Sequence, residues 1–229
     1  MTSSGGSDTR PCVVCGKPIK RRRRQRYCTR SCRAEDLRAG PRSFAYADPP
    51  YPGNSERLYG HHPDYAGEVD HQALIERLAD EFPDGWALST GAVNLREVLP
   101  LCPGDVRVAA WVKPMLGMKP SASVQFGWEP VIFRGGRPRE LADGLIRDWL
   151  SCSPTRHKQI GGLIGMKPQA FCWWVFDMLG SAPGDELADV FPGSGAVTEA
   201  WRAYHLQLRI RYEKLDVEPL PFAEALDVA

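Results

Sequence analysis

Along the chain, short apolar runs alternate with segments whose apolar residues recur every three to four positions, a pattern that predicts strands separated by helices. Ser43–Ala47 reads as a strand that must stop at Asp48-Pro49-Pro50, because two successive prolines cannot continue a ladder of hydrogen bonds. Ala73, Leu74, Leu78 and Phe82 have helical spacing, which predicts a helix over 70–81 with Asp70 as its N-cap. Further on, the expected order is strand Gly85–Thr90, helix Asn94–Leu99, and strands Val106–Val112 and Glu129–Phe133. Then come helix Lys167–Leu179, introduced by Pro168, buried strand Glu186–Phe191, helix Val197–Tyr204 and strand Leu206–Tyr212. Tyr51–Glu68, with its Pro, Gly and Asn and the adjacent His61 and His62, reads as a loop, and 135–157 follows no single period. The alternation predicts an α/β sheet covered on both faces.

Composition divides the chain in two. Residues 1–40 carry eleven Lys/Arg against three Asp/Glu, whereas 41–229 carry eighteen against twenty-five, so the formal net charge of +1 hides two units of opposite sign. The Ser/Gly-rich residues 1–10 are expected to form a disordered tail, 11–40 a small basic module, and 41–229 the main domain. No apolar run approaches the roughly 18 residues of a membrane span, and the start of the chain lacks the apolar core of a signal peptide, so the expected location is the cytoplasm.

Four of the seven cysteines fall in the basic module as Cys12-x2-Cys15-x12-Cys28-x3-Cys32. Paired thiolates at these spacings suit one tetrahedral zinc ion, and with four protein ligands and no open position such a site is structural rather than catalytic. So small a unit is expected to need its metal to fold. Between the pairs lies Lys20-Arg21-Arg22-Arg23-Arg24-Gln25-Arg26, a charge block that on a metal-fixed loop becomes a phosphate-binding patch for nucleic acid. Arg134, Arg137, Arg139, Arg147 and Arg156 are the residues of the main domain from which a compact sequence reader could be built.

Two motifs carry candidate chemistry. Asp48-Pro49-Pro50-Tyr51 follows a strand, which places it at the carboxyl edge of the sheet, where open α/β folds bind ligands. A carboxylate at Asp48 and the carbonyl of Pro49 can accept both N–H bonds of an exocyclic base amine, favouring a pyramidal nitrogen with an available lone pair. The prolines hold that carbonyl still, and Tyr51 offers a ring on which an extruded base stacks. The second motif, Asp189-Val190-Phe191-Pro192-Gly193-Ser194-Gly195, closes a strand and opens a helix, whose free N–H groups attract a ligand carboxylate. Glu213, at the end of the expected strand Leu206–Tyr212, is positioned to bind ribose hydroxyls. Lys113 reads as a solvated charge ending a strand, with an approach to cofactor or acceptor as the alternative.

On these residues, together with Trp111-Val112-Lys113, Trp128-Glu129-Pro130 through Gly135, and Lys167-Pro168, the chain resembles the amino-methyltransferases of nucleic acids. The resemblance is to the permuted arrangement in which the tetrapeptide comes first and the glycine motif last. It implies a Rossmann-like S-adenosylmethionine-dependent methyltransferase fold with a mostly parallel seven-stranded sheet, S-adenosyl-L-methionine as donor and N6 of adenine as acceptor. In its terms Asp48, Pro49, Pro50 and Tyr51 are catalytic, and Lys167, Asp189, Phe191, Gly193, Ser194, Gly195 and Glu213 bind the cofactor. DNA is the expected polymer, with RNA and a catalytically silent nucleic-acid-binding protein on the same fold as alternatives.

Overall fold

The computed structural model describes residues 9–12, 15–20, 28–29, 32, 40–53, 56, 60, 67–114, 123–139, 144–154 and 166–213. Arg21–Arg24, Arg26, His61, His62 and Arg156 lie outside the described residues. Strands β1 (Thr9–Pro11) and β2 (Pro18–Lys20) form an antiparallel hairpin, so Thr9 and Arg10 belong to the cysteine unit rather than to a tail.

Six strands form the main sheet, in the order β7-β5-β6-β4-β3-β8. They are β3 (Ser43–Ala47), β4 (Gly85–Ser89), β5 (Arg107–Val112), β6 (Trp128–Gly135), β7 (Trp149–Ser151) and β8 (Glu186–Asp189). β3 runs parallel to both β4 and β8, and β5 parallel to β7, whereas β6 is antiparallel to β4 and β5.

The helices cover both faces, as an α/β sheet requires. On one side α1 (His71–Glu81) buries Leu74, Ile75 and Leu78 against Ala45, Ala47, Trp86, Leu88 and Ile132, with Val98 of the short helix α2 (Leu95–Val98) beside them. Asp70 caps α1 as its position predicts, accepting from Ala73 N at 3.0 Å. On the other side α3 (Gln169–Leu179) carries Phe171, Val175, Phe176 and Leu179 onto Phe44, Tyr46, Trp111, Val131 and Phe133. Having almost no polar face, α3 is buried between the sheet and α4 (Ala196–Glu213), where Phe176 meets Trp201 edge-to-face at 4.9 Å.

The strand expected at Leu206–Tyr212 is absent among the described residues, since that segment continues α4. β7 (Trp149–Ser151), in turn, is a strand the pattern does not predict, and the sheet has six strands rather than the seven that the resemblance implies. The alternation of Leu206, Leu208, Ile210 and Tyr212 mimics a strand, but no Gly or Pro after Gly195 ends the helix, and Val197, Ala200, Tyr204 and Leu208 pack at helical spacing. Leu206 and Ile210 are exposed, at 58% and 39%, as residues off that stripe should be. Among the described residues no helix is long and apolar enough to cross a membrane.

Beneath the sheet, Arg137 reaches Asp185 at 2.6 Å, both side chains almost fully buried. Asp185 also accepts from the backbone N–H groups of Arg42 and Ala182, so one carboxylate joins the chain before β3, the end of β6 and the entry to β8. Arg137 is therefore structural and not part of a sequence reader. Arg134 binds Asp105 at 2.8 Å and pairs in register with Trp86 near the start of β4, at the sheet edge opposite the tetrapeptide.

Candidate active site

Strand direction assembles the site. Tyr46 of β3 pairs in parallel with Asp189 of β8, so the tetrapeptide and the glycine motif leave the same edge of the sheet side by side, tied by Val190 N donating to Tyr46 O at 2.9 Å. The antiparallel β6 brings its first residues to that edge, with Val131 opposite Ser89, and β5 ends there with Val112 opposite Trp128. Asp48, Lys113, Glu129, Asp189 and the segment before α3 converge from five parts of the chain.

Their charges alternate. Asp48 Oδ2 lies 2.8 Å from Lys167 Nζ, Lys167 Nζ lies 3.9 Å from Glu129 Oε2, and Glu129 Oε1 pairs with Lys113. Tyr51 donates its hydroxyl to Glu129 Oε2 at 3.1 Å. Both ammonium groups sit against the indole of Trp111, at 4.3 Å for Lys113 and 5.6 Å for Lys167, where the ring face favours a cation. Lys113 is thus nearly buried, its side chain 12% exposed, and not the solvated charge its strand-end position suggests. Burial raises the pKa of Asp48 above the ordinary carboxylate range, opposed chiefly by the Lys167 cation. Burial also lowers that of Lys113, opposed by Glu129.

Pro49 is buried and Pro50 and Tyr51 half-buried, so the tetrapeptide is a held turn rather than a free loop. Lys167 takes one oxygen of Asp48, and the lone pairs of the other can accept an N–H. Lys167 stands next to Pro168, the N-cap of α3, and its ammonium meets Asp48 of the tetrapeptide.

In the glycine motif, Gly193 and Gly195 have φ of +48° and +75°, a region that costs other residues energy and that lets the chain double back, Gly195 N donating to Pro192 O at 2.7 Å, before α4 begins. Pro192, Gly193 and Ser194 are exposed, leaving the backbone N–H groups at the helix start accessible to an anion. Phe191 packs with the apolar cluster beneath. Asp189 accepts from Thr198 Oγ1 at 3.1 Å through Oδ2, while its buried Oδ1 has no hydrogen-bond partner among the described residues. Burial raises the pKa of this carboxyl as well.

Glu213 ends α4, about 25 Å along the axis from Ala196 at 1.5 Å per residue, and the segment expected as a strand leading to it is helix instead. Glu129, by contrast, is central to the site although sequence reasoning gave it no role; its place in Trp128-Glu129-Pro130 was the available signal.

In the cysteine unit the sulfur atoms of Cys12, Cys15, Cys28 and Cys32 all lie within 4.8 Å of one another. Adjacent Sγ separations of 3.4, 3.4 and 3.7 Å approach the roughly 3.8 Å edge of a tetrahedron with Zn–S bonds of about 2.3 Å. The turn between the first pair and β2 has Gly16 at φ +71°, with Gly16 N donating to Cys12 O at 2.9 Å, and Ile19 is buried beside Cys12.

No protein-family profile and no curated protein matches the chain. Among solved structures, the M1.HpyAVI–SAM complex is 15% identical, covers 75% of this chain and 83% of its own, and has a TM-score of 0.50. A second structure of M1.HpyAVI is 14% identical over 80% of this chain and 92% of its own, with a TM-score of 0.41. TTHA0409 of Thermus thermophilus, a candidate DNA modification methylase complexed with S-adenosyl-L-methionine, is 16% identical over 83% and 96%, with a TM-score of 0.37. The chain has the Rossmann-like α/β fold of the first of these, with six strands in its sheet.

Proposed function

We propose that the chain is an S-adenosyl-L-methionine-dependent methyltransferase that acts on N6 of adenine in DNA. The observation that carries this reading is the juxtaposition of the Asp48-Pro49 acceptor pair and the glycine turn at the ends of neighbouring parallel strands. The fold it shares with M1.HpyAVI, which was solved with SAM bound, supports the choice of cofactor.

The cofactor would supply an electrophilic methyl group on sulfur. Asp189 Oδ1, buried and lacking a partner among the described residues, suits the ammonium of its methionine moiety, and the first N–H groups of α4 suit its carboxylate. Asp48 and the carbonyl of Pro49 would accept the two N–H bonds of the acceptor amine and direct its lone pair at the methyl carbon. The proton that the amine must lose on methylation would pass to Asp48 and then to water. Lys167 holds the carboxylate in place and Tyr51 stacks on the base, which must leave a duplex to arrive there, at a cost of a few kcal/mol.

We assign the four cysteines to one structural zinc ion and the Lys20–Arg26 run to the phosphate backbone, with positioning rather than sequence reading as its task. Incubation with S-adenosyl-L-methionine labelled in the methyl group and with DNA or RNA, followed by nucleoside analysis, tests the reading. Labelled N6-methyladenine from DNA supports it, label from RNA alone transfers the same chemistry to the other polymer, and label in another nucleoside contradicts it.

A further inference from the structure

The turn that follows β4 presses against the tetrapeptide loop and ties it down, a contact the chemistry above does not use. Asn94, only 7% exposed, donates from Nδ2 to the carbonyl of Pro52 at 3.2 Å, the residue directly after Tyr51. Gly91 lies against the ring of Tyr51: a β-carbon there would stand 3.1 Å from Tyr51 Cδ2 and 2.7 Å from Asn94 Oδ1. At its far end the same ring is held by Glu129 through the hydroxyl. Tyr51 is therefore fixed at its hydroxyl, along its ring and at the peptide that follows it.

Asn94 occupies the position before α2 where an Asn side chain ordinarily caps a helix, yet it makes no capping bond, and its donor goes to Pro52 instead. Its Oδ1 and the hydroxyl of the fully buried Thr90 have no hydrogen-bond partner among the described residues. Buried polar atoms without partners are few in native proteins and ask for a reason in the site they face. The amide is not buried here to satisfy itself or the helix; what it visibly does is hold the loop that carries Tyr51.

We propose that Asn94 is a positioning residue for the acceptor site, its amide setting the plane of Tyr51 on which the acceptor base stacks and Gly91 leaving the space this requires. The assignment rests on the methyltransferase reading given above. A misplacement of about 1 Å in an aligned site costs up to about a hundredfold in rate, so a loosened Tyr51 should be visible in kcat.

The test is steady-state methyl transfer by the full-length protein at saturating S-adenosyl-L-methionine, with melting midpoint and cofactor affinity measured on the same samples. Asn94→Asp keeps the size and the Oδ1 acceptor of Asn but has no donor for Pro52, whereas Asn94→Ala loses acceptor and donor alike. The expected result is that kcat falls about tenfold in both variants when assayed at a temperature where each remains folded, with cofactor affinity unchanged. Asn94→Asp lowers the melting midpoint because it buries a carboxylate, and the kcat loss is expected in Asn94→Ala as well. Gly91→Ala should reproduce the kcat loss by pushing on the same ring. Parental kcat in Asn94→Asp overturns the proposal, and a kcat loss that tracks loss of cofactor binding or of folded protein at the assay temperature assigns Asn94 to general stability. A parent protein that transfers no methyl group removes the functional reading and this assignment with it, an outcome seen before any variant is made.

Discussion

Asp48 and Lys167 meet at 2.8 Å at the mouth of the sheet, the lysine side chain only 6% exposed, and on the proposed function this pair sets the charge that faces the acceptor amine. Burial pushes the Asp48 pKa up and Lys167 is the strongest influence pulling it down. On the proposed mechanism the carboxyl takes the amine's proton only when ionised, so activity should fall as pH drops through its pKa, above the usual carboxylate value of about 3.9.

Lys167→Met removes that cation, so the acid limb of the kcat profile should move to higher pH than in the parent. Lys113→Met, whose influence on Asp48 is smaller, should move it less. A limb that stays fixed or moves to lower pH in Lys167→Met would show that another group controls it.

Arg137→Ala should destabilise the fold by about 3–5 kcal/mol, because it leaves the Asp185 carboxylate buried without its counter-ion. In a chain of this size that corresponds to a drop in melting midpoint of about 6–20 °C. Thermal unfolding followed by circular dichroism measures it, and a drop below about 2 °C would mean that the backbone N–H groups of Arg42 and Ala182 suffice for Asp185.

His205 sits in a cage of Trp201, Tyr204 and Ser181, its ring centroid 4.1 Å from that of Trp201. Burial, aided by the Arg209 cation, lowers its pKa to about 4 from an ordinary 6.5. The unfolded chain then binds a proton that the folded chain refuses, so this contribution is complete above pH 6.5 and is lost as pH falls towards 4. After allowance for solvent screening the loss is on the order of 1–2 kcal/mol. Urea unfolding at pH 7 and pH 4.5 should show a smaller difference for His205→Gln than for the parent; equal differences would refute the assignment.

Metal analysis should find about one zinc per chain, and Cys28→Ser should lower it. The same substitution should raise the KM for the polymer and leave kcat nearly unchanged, because the cysteine unit carries the basic run and not the reacting groups. A collapse of kcat instead would place the unit in the active site.

Local rules made some of this structure legible and left the rest hidden. The strand Ser43–Ala47 could be bounded by reading alone, since the prolines after it end any ladder, and so could α1, which starts with Asp70 as a side-chain cap. The Asp48–Lys167–Glu129–Lys113 chain could not be read, because its members come from four segments that meet only through the order β5-β6-β4-β3 and the placement of α3. Lys113 looked solvated for the same reason: its partner lies sixteen residues away on an antiparallel strand. Alternation at Leu206–Tyr212 misled in the opposite direction, a period of two being overridden by the packing of Tyr204 and Leu208 on one helix.

On the proposed function, Asp48 acts on the acceptor amine and not on the cofactor. Asp48→Ala, assayed with labelled S-adenosyl-L-methionine and DNA, is predicted to bind the cofactor with parental affinity while methyl transfer to adenine N6 falls by about a hundredfold or more. Undiminished transfer in that variant, or a loss of transfer explained wholly by a loss of cofactor binding, would rule out this role for Asp48.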